Sequence, residues 1–265
     1  MRSILFTAAV LAGSTAVHAI SAQCQNALLG VVGSPDAACL NIAGITSIIT
    51  LSPNSSLVDP VTNWLSGLCS VAPCSNQTLQ TIVTNITTGC PDDLSSLGLA
   101  STDSSSVAQT VETAYPILRN IGCLKDTTTN TLCVTSTLNA AQNASGTTLT
   151  LANVLTVLTQ LVTGSSTFTK EVTCTNCIKA AYNILKQDDP ALATATQVTA
   201  AFSTTCGASF LDGQTPSGIV QLSGASGSGT SNTKNGAVSL FSGPAWTGVV
   251  ISALAAVSAG FMILA

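Results

Sequence analysis

Apolar residues recur every three or four positions through most of the chain between Ile42 and Phe202. Val61, Trp64, Leu65 and Leu68 share one helical face, and Leu79, Ile82, Val83, Ile86 and Cys90 share another. The spacing is most regular at Leu151, Val154, Leu155, Leu158 and Leu161-Val162. Ile42–Ile49, Val107–Ile121 around Pro116, Ile178–Leu185 and Leu192–Phe202 follow the same rule. A repeat near 3.6 predicts amphipathic helices packed on a shared core. Abundant Thr and Val pull toward strands, but long runs of strict alternation are missing. The expected fold class is therefore all-α, a helical bundle.

The two ends depart from this pattern. Met1-Arg2 precedes an apolar run from Ile4 to Val17 and small residues up to Ala22, the arrangement of a secretory signal peptide. It is too short for an anchor of about 18 residues or more. Cleavage is expected after Ala22, giving a leader of residues 1–22, with Ala19 as the alternative. From Asp212 the helical pattern stops, and GQTPSG leads into SGASGSGTSNTKN, read as a solvated stalk over residues 213–235. Beyond it, Ala245–Ala265 is long enough to cross a bilayer at about 1.5 Å per residue. Small residues Asn235-Gly236-Ala237, a spacer from Val238 to Trp246 and that apolar end fit a glycosylphosphatidylinositol (GPI) signal. Asn235 is the expected attachment residue, with Ser231 and Asn232 in reserve, and residues 236–265 are removed. The alternative, a tail-anchored span, lacks the basic flank such spans carry.

All ten cysteines lie between the two processed ends: Cys24, Cys39, Cys69, Cys74, Cys90, Cys123, Cys133, Cys174, Cys177 and Cys206. An even number in a secreted chain reads as a disulfide framework that staples the bundle, with pairing open. Five lie on each side of a divide between Cys90 and Cys123, so full oxidation requires an odd number of bridges between the sides. Each side has two leading cysteines, a close pair and a trailing one. That order suggests either a diverged duplication, with halves 23–95 and 107–212, or coincidence.

Charge is sparse: eleven acids and seven bases, one of which, Arg2, falls in the leader. No basic patch exists, which argues against a nucleic-acid partner. The sequons at Asn54, Asn76, Asn85 and Asn143 offer N-glycosylation to help hold water at the surface. The only histidine, His18, is in the leader. A mature chain without imidazole cannot run Ser-His-Asp or Cys-His chemistry, and no metal or cofactor is expected.

Three features are compatible with chemistry or binding. Cys174-Thr175-Asn176-Cys177 at the start of a helix could be a redox pair, although no strand–helix–strand frame surrounds it and a structural role fits better. Asp92-Asp93 and Asp188-Asp189, with Glu112 and Glu171, could supply the paired carboxylates of sugar hydrolysis. Both Asp pairs adjoin proline, where turns and caps are the ordinary use. Sugar platforms are few, because Trp64 belongs to an apolar helical face and only Tyr115 and Tyr182 remain besides phenylalanines. An apolar cavity for lipid or sterol is allowed by composition, though side chains fill most interiors.

The leader, the sequon-bearing cysteine-rich part with CTNCIKAAYNIL, the Ser/Gly stalk and the NGA-plus-tail ending resemble the uncharacterised GPI-anchored surface proteins of fungi, particularly basidiomycetes. The resemblance covers the whole architecture but carries no catalytic residue over. It implies a place on the outer leaflet of the plasma membrane through the lipid, with transfer to cell-wall glucan as an extension. Two functions follow as expectations: a non-enzymatic, displayed glycoprotein with a structural or interaction role, or a wall-acting hydrolase or lipid-binding module.

Overall fold

The computed structural model describes residues 21–52, 54–96, 104–154, 156–157, 169–194, 196–222 and 224. Helices α1 (Ala22–Val32), α2 (Ile42–Ile49), α3 (Val58–Ser70), α4 (Asn76–Gly89), α5 (Pro91–Ser96) and α6 (Ser104–Gly122) come first, with a 3-10 turn at Pro35–Leu40. Strands β1 (Leu124–Asp126) and β2 (Thr131–Leu132) lead into α7 (Cys133–Ser145). Next are α8 (Lys170–Thr173), α9 (Asn176–Asp188), α10 (Pro190–Ala193) and α11 (Thr196–Cys206). A 3-10 turn at Ala208–Leu211 and strand β3 (Ile219–Gln221) complete the order.

The chain is a disulfide-stapled helical bundle, the class its periodicity predicts. Helices α2, α3, α4, α6 and α9 lie where the apolar spacing places them, and Pro116 sits inside α6. Much of the Leu151–Val162 segment is outside the described residues. Threonine becomes compatible with these helices through its hydroxyl. Thr62, Thr81, Thr87, Thr110 and Thr113 each donate to the carbonyl four residues earlier, which satisfies the side chain locally and leaves the helix ladder intact. Ser21, Ser75 and Thr175 serve as N-caps of α1, α4 and α9, each accepting from a backbone N–H three residues on.

Helices α1 and α7 are absent from the periodic pattern. In α7 the buried positions are Cys133, Thr135, Leu138 and Ala141, a face too small and polar to register as an apolar stripe. The small antiparallel sheet, of order β2-β1-β3, pairs Lys125 with Leu132 on one side and with Val220 on the other.

That sheet corrects the expected stalk boundary. Residues 213–222 belong to the folded body: Thr127 N–H donates to Gly218 O at 2.8 Å, Leu222 N–H donates to Cys123 O at 2.9 Å, and Ile219 is buried. Leu222 packs beside Leu65, Leu68 and Leu132. A Cβ on Gly224 would overlap the Val71 carbonyl, so the chain leaves β3 pressed against the first half of the molecule. Pairing between strands almost a hundred residues apart leaves no local signature, whereas the preceding GQTPSG reads as loop.

The ten cysteines form five bridges: Cys24–Cys90, Cys39–Cys74, Cys69–Cys123, Cys133–Cys177 and Cys174–Cys206. One of them, Cys69–Cys123, joins the two sides of the divide, an odd number as parity requires. Within the proposed halves the second and fourth cysteines pair in both, but the fifth pairs with the first in one and with the third in the other. Packing also crosses the divide, since α6 lies along α4 and α7 along α3. Buried apolar residues form several small clusters rather than one large core. One is built around Val58, Leu138, Ala141 and Leu149; two others contain the bridges Cys24–Cys90 and Cys133–Cys177.

Candidate functional site

Helix α9 carries a linked set of polar side chains that bond residues 209–214. Lys179, Asn183 and Lys186 recur at intervals of four and three, which places them along one face. Lys179 Nζ donates to Ser209 O and to Asp212 Oδ2, both at 2.9 Å. Asn183 Nδ2 donates to Gln214 O at 2.9 Å, and Lys186 Nζ donates to Leu211 O at 3.1 Å. Asp212 Oδ1 accepts in turn from the Gln214 backbone N–H. The hydrogen bond from Lys179, with that from Gln214, holds the Asp212 carboxyl below its usual range. Together these contacts strap residues 209–214 across the helix and deliver the chain to β3.

Between α9, the strap and the sheet lies an open-sided groove of about 360 Å³. Leu124, Ala180, Ile184 and Ile219 provide its apolar part, and Asn183, Lys186, Gln187, Thr215 and Gln221 its polar part. The Asn183 amide is oriented by its bond to a carbonyl, which can only accept. Its Oδ1 is left buried with no hydrogen-bond partner among the described residues. No carboxylate lines the groove, and the Lys186 amine is already committed to the strap. The groove offers shape and amide contacts without an acid–base pair.

The acidic candidates fall on or beside different helices, and the protein itself engages the carboxylates of Asp93 and Glu171. Asp93 accepts from Ser21 N–H at 3.0 Å and from Ser21 Oγ–H at 2.6 Å, and these bonds lower its pKa from the ordinary carboxylate value. Asp92 is exposed in the first turn of α5. Asp188 is exposed at the end of α9, and Asp189 caps that helix through its N–H to Leu185 O. Glu171 is exposed on α8, its pKa lowered chiefly by the Thr169 hydroxyl; Glu112 is half-buried on α6. Among the described residues no cluster of three or more His, Cys, Asp or Glu side chains could hold a metal ion.

Cys174 and Cys177 do not pair with each other. Each is bonded to a distant partner, Cys206 and Cys133, which rules out a CxxC redox couple in this oxidised fold. The possible sugar platforms are tied down too. Trp64 Nε1 donates to Leu40 O at 2.9 Å. Tyr182 is buried with its ring edge against Phe202, and burial raises its pKa. Tyr115 Oη accepts from Cys74 N–H and from Arg119.

Arg119 went unnoticed in the sequence. It is buried at 8 % exposure, and its guanidinium donates to Val71 O and Tyr115 Oη, both neutral acceptors. The only available clue was its place at the end of an amphipathic helix, one turn after Tyr115, in a chain with few bases. The pair fastens the 71–74 loop beside the Cys39–Cys74 bridge.

All four sequon asparagines, Asn54, Asn76, Asn85 and Asn143, are exposed. Asn235 and most of the leader lie outside the described residues. No described helix is long and apolar enough to cross a membrane. Comparison of the chain with protein-family models, curated proteins and solved structures returns no match.

Proposed function

We propose that the chain is a secreted, N-glycosylated, GPI-anchored protein of the fungal cell surface or wall, and that its helical domain is displayed for a structural or interaction role rather than for catalysis. The observation that carries this reading is the complete pairing of ten cysteines, with no free thiol. Such a framework forms in an oxidising compartment, the route to which a leader and an anchor signal belong. Exposure of all four sequon asparagines is compatible with glycosylation on that route. Asp93, Asp126 and Asp212 are engaged by Ser21, Thr128 and Lys179, a use of carboxylates that holds the fold. The groove on α9 supports neither alternative well: hydrolysis wants carboxylates across a cleft, and a lipid site wants a continuous apolar lining.

The test is treatment of intact expressing cells with phosphatidylinositol-specific phospholipase C. The expected result is release of a glycosylated protein that alkylating reagents label only after reduction. Retention on the membrane while a control GPI protein is released would overturn the anchor, and free thiols in the released protein would overturn the framework's role in the reading.

A further inference from the structure

The sequence offers two places where the leader could be cut, after Ala22 or after Ala19, and favours the first. Ser21 lies between them, and the fold uses it. Its Oγ accepts from Cys24 N–H at 3.2 Å as the N-cap of α1. The same hydroxyl donates to Asp93 Oδ2 at 2.6 Å, and the Ser21 N–H donates to Asp93 Oδ1 at 3.0 Å. Its carbonyl accepts the first bond of the helix, from Gln25 N–H at 2.9 Å. Of these four hydrogen bonds on one residue, two start α1 and two tie its entry to α5, seventy-two positions away.

A cut after Ala22 would delete all of them along with the first residue of α1. It would set the new ammonium of Gln23 beside Cys24, which is fully buried and bonded to Cys90. A positive terminus there would face the unpaired N–H groups and the positive end of the helix dipole. A cut after Ala19 keeps the cap and both bonds from Ser21 to Asp93, and it moves the ammonium one residue ahead of the cap. Val17-His18-Ala19 has the small residue at the cut that a signal peptidase requires.

We infer that the leader is removed after Ala19, so that Ile20 and Ser21 begin the mature protein and Ser21 is retained as a structural cap. This rests on the reading of the first residues as a cleaved leader. The experiment is mass spectrometry of the amino-terminally labelled full chain, reduced and cleaved before Asp36. A terminal peptide running from Ile20 to Pro35 is the expected result. A peptide starting at Gln23 overturns the inference and leaves the leader reading intact; one starting at Met1 overturns both.

A second measurement uses Ser21→Ala, checked for the same terminus. With Ser21 retained, the loss of the cap lowers Tm by about 2–4 °C, and Asp93→Ala adds little in that background because the two groups act as one unit. If processing removes Ser21, mature wild type and variant are the same molecule, and an unchanged Tm overturns the inference.

Discussion

Where α2 meets α3, the side chain of Asn41 fills the space that Gly44 and Gly67 leave open. Asn41 takes a left-handed backbone conformation at φ 49°, and its Nδ2 donates to Trp64 O at 2.8 Å. A Cβ on Gly67 would overlap that amide, and one on Gly44 would lie 2.6 Å from it. Gly67→Ala is therefore expected to destabilise the fold by about 1–3 kcal/mol through overpacking, measured as a lower denaturant midpoint with an unchanged slope. Arg119 gives a second case. Arg119→Met keeps most of the buried stem but removes the donors to Val71 O and Tyr115 Oη, and an unsatisfied buried acceptor costs about 1–3 kcal/mol. The same chemical denaturation series would show it. Neither position was legible as special in the sequence: a glycine in a helix and an arginine near a helix end are individually ordinary, and only the neighbouring element supplies the constraint.

Among the elements, the five bridges differ in what they connect. Four close loops within one side of the divide, and Cys69–Cys123 ties α3 to the end of α6 across it. Replacing both with serine reopens a loop of 54 residues in separation, for which chain entropy predicts a loss of about 4 kcal/mol, with strain and residual structure reducing it. Thermal denaturation of the double variant against wild type measures that loss. The strap on α9 should behave differently, because its ion pair is partly exposed, with side chains 18 % and 39 % accessible. Lys179→Met is expected to leave the unfolding midpoint almost unchanged while speeding proteolysis within residues 207–215, since exposed pairs add little global stability. Periodicity revealed α3 and α4 because each buries branched aliphatic side chains at helical spacing, and α6 because Val107, Val111 and Tyr115 are half-buried at the same spacing. It failed for α7, whose buried face uses Thr135 and Ala141, and for β3, whose partner is far away in sequence.

Across the whole molecule, stability should respond to acid rather than to mild changes near neutrality. The carboxyls of Asp93, Asp126, Glu171 and Asp212 all have lowered pKa values, mainly through hydrogen bonds from Ser21, Thr128, Thr169 and Lys179. Depressed folded values mean that the stability they contribute is present above the unfolded pKa, near 4, and is lost as pH falls through the folded values. His18 is the only histidine, and the leader removal proposed above would leave no imidazole to titrate between these limits and neutrality. Tm is therefore expected to be flat between about pH 5 and 7 and to fall below about pH 4. A calorimetric series across that range checks both parts, and a step near pH 6.5 would contradict the account.

By itself the sequence determined the helical class, the even set of ten cysteines available for pairing, and the sparse charge. These are properties of composition and local period, which a linear text carries in full. Tertiary structure alone decided which cysteines meet, because pairing depends on where distant helices pack. It extended the folded body past Asp212 to Leu222 by joining β3 to β1. It also dispersed the acidic residues that a sequence could imagine as a site, and gave Ser21 and Asp93 to each other. A hydrogen bond between residues seventy-two positions apart has no period and no motif, so only the fold could assign it.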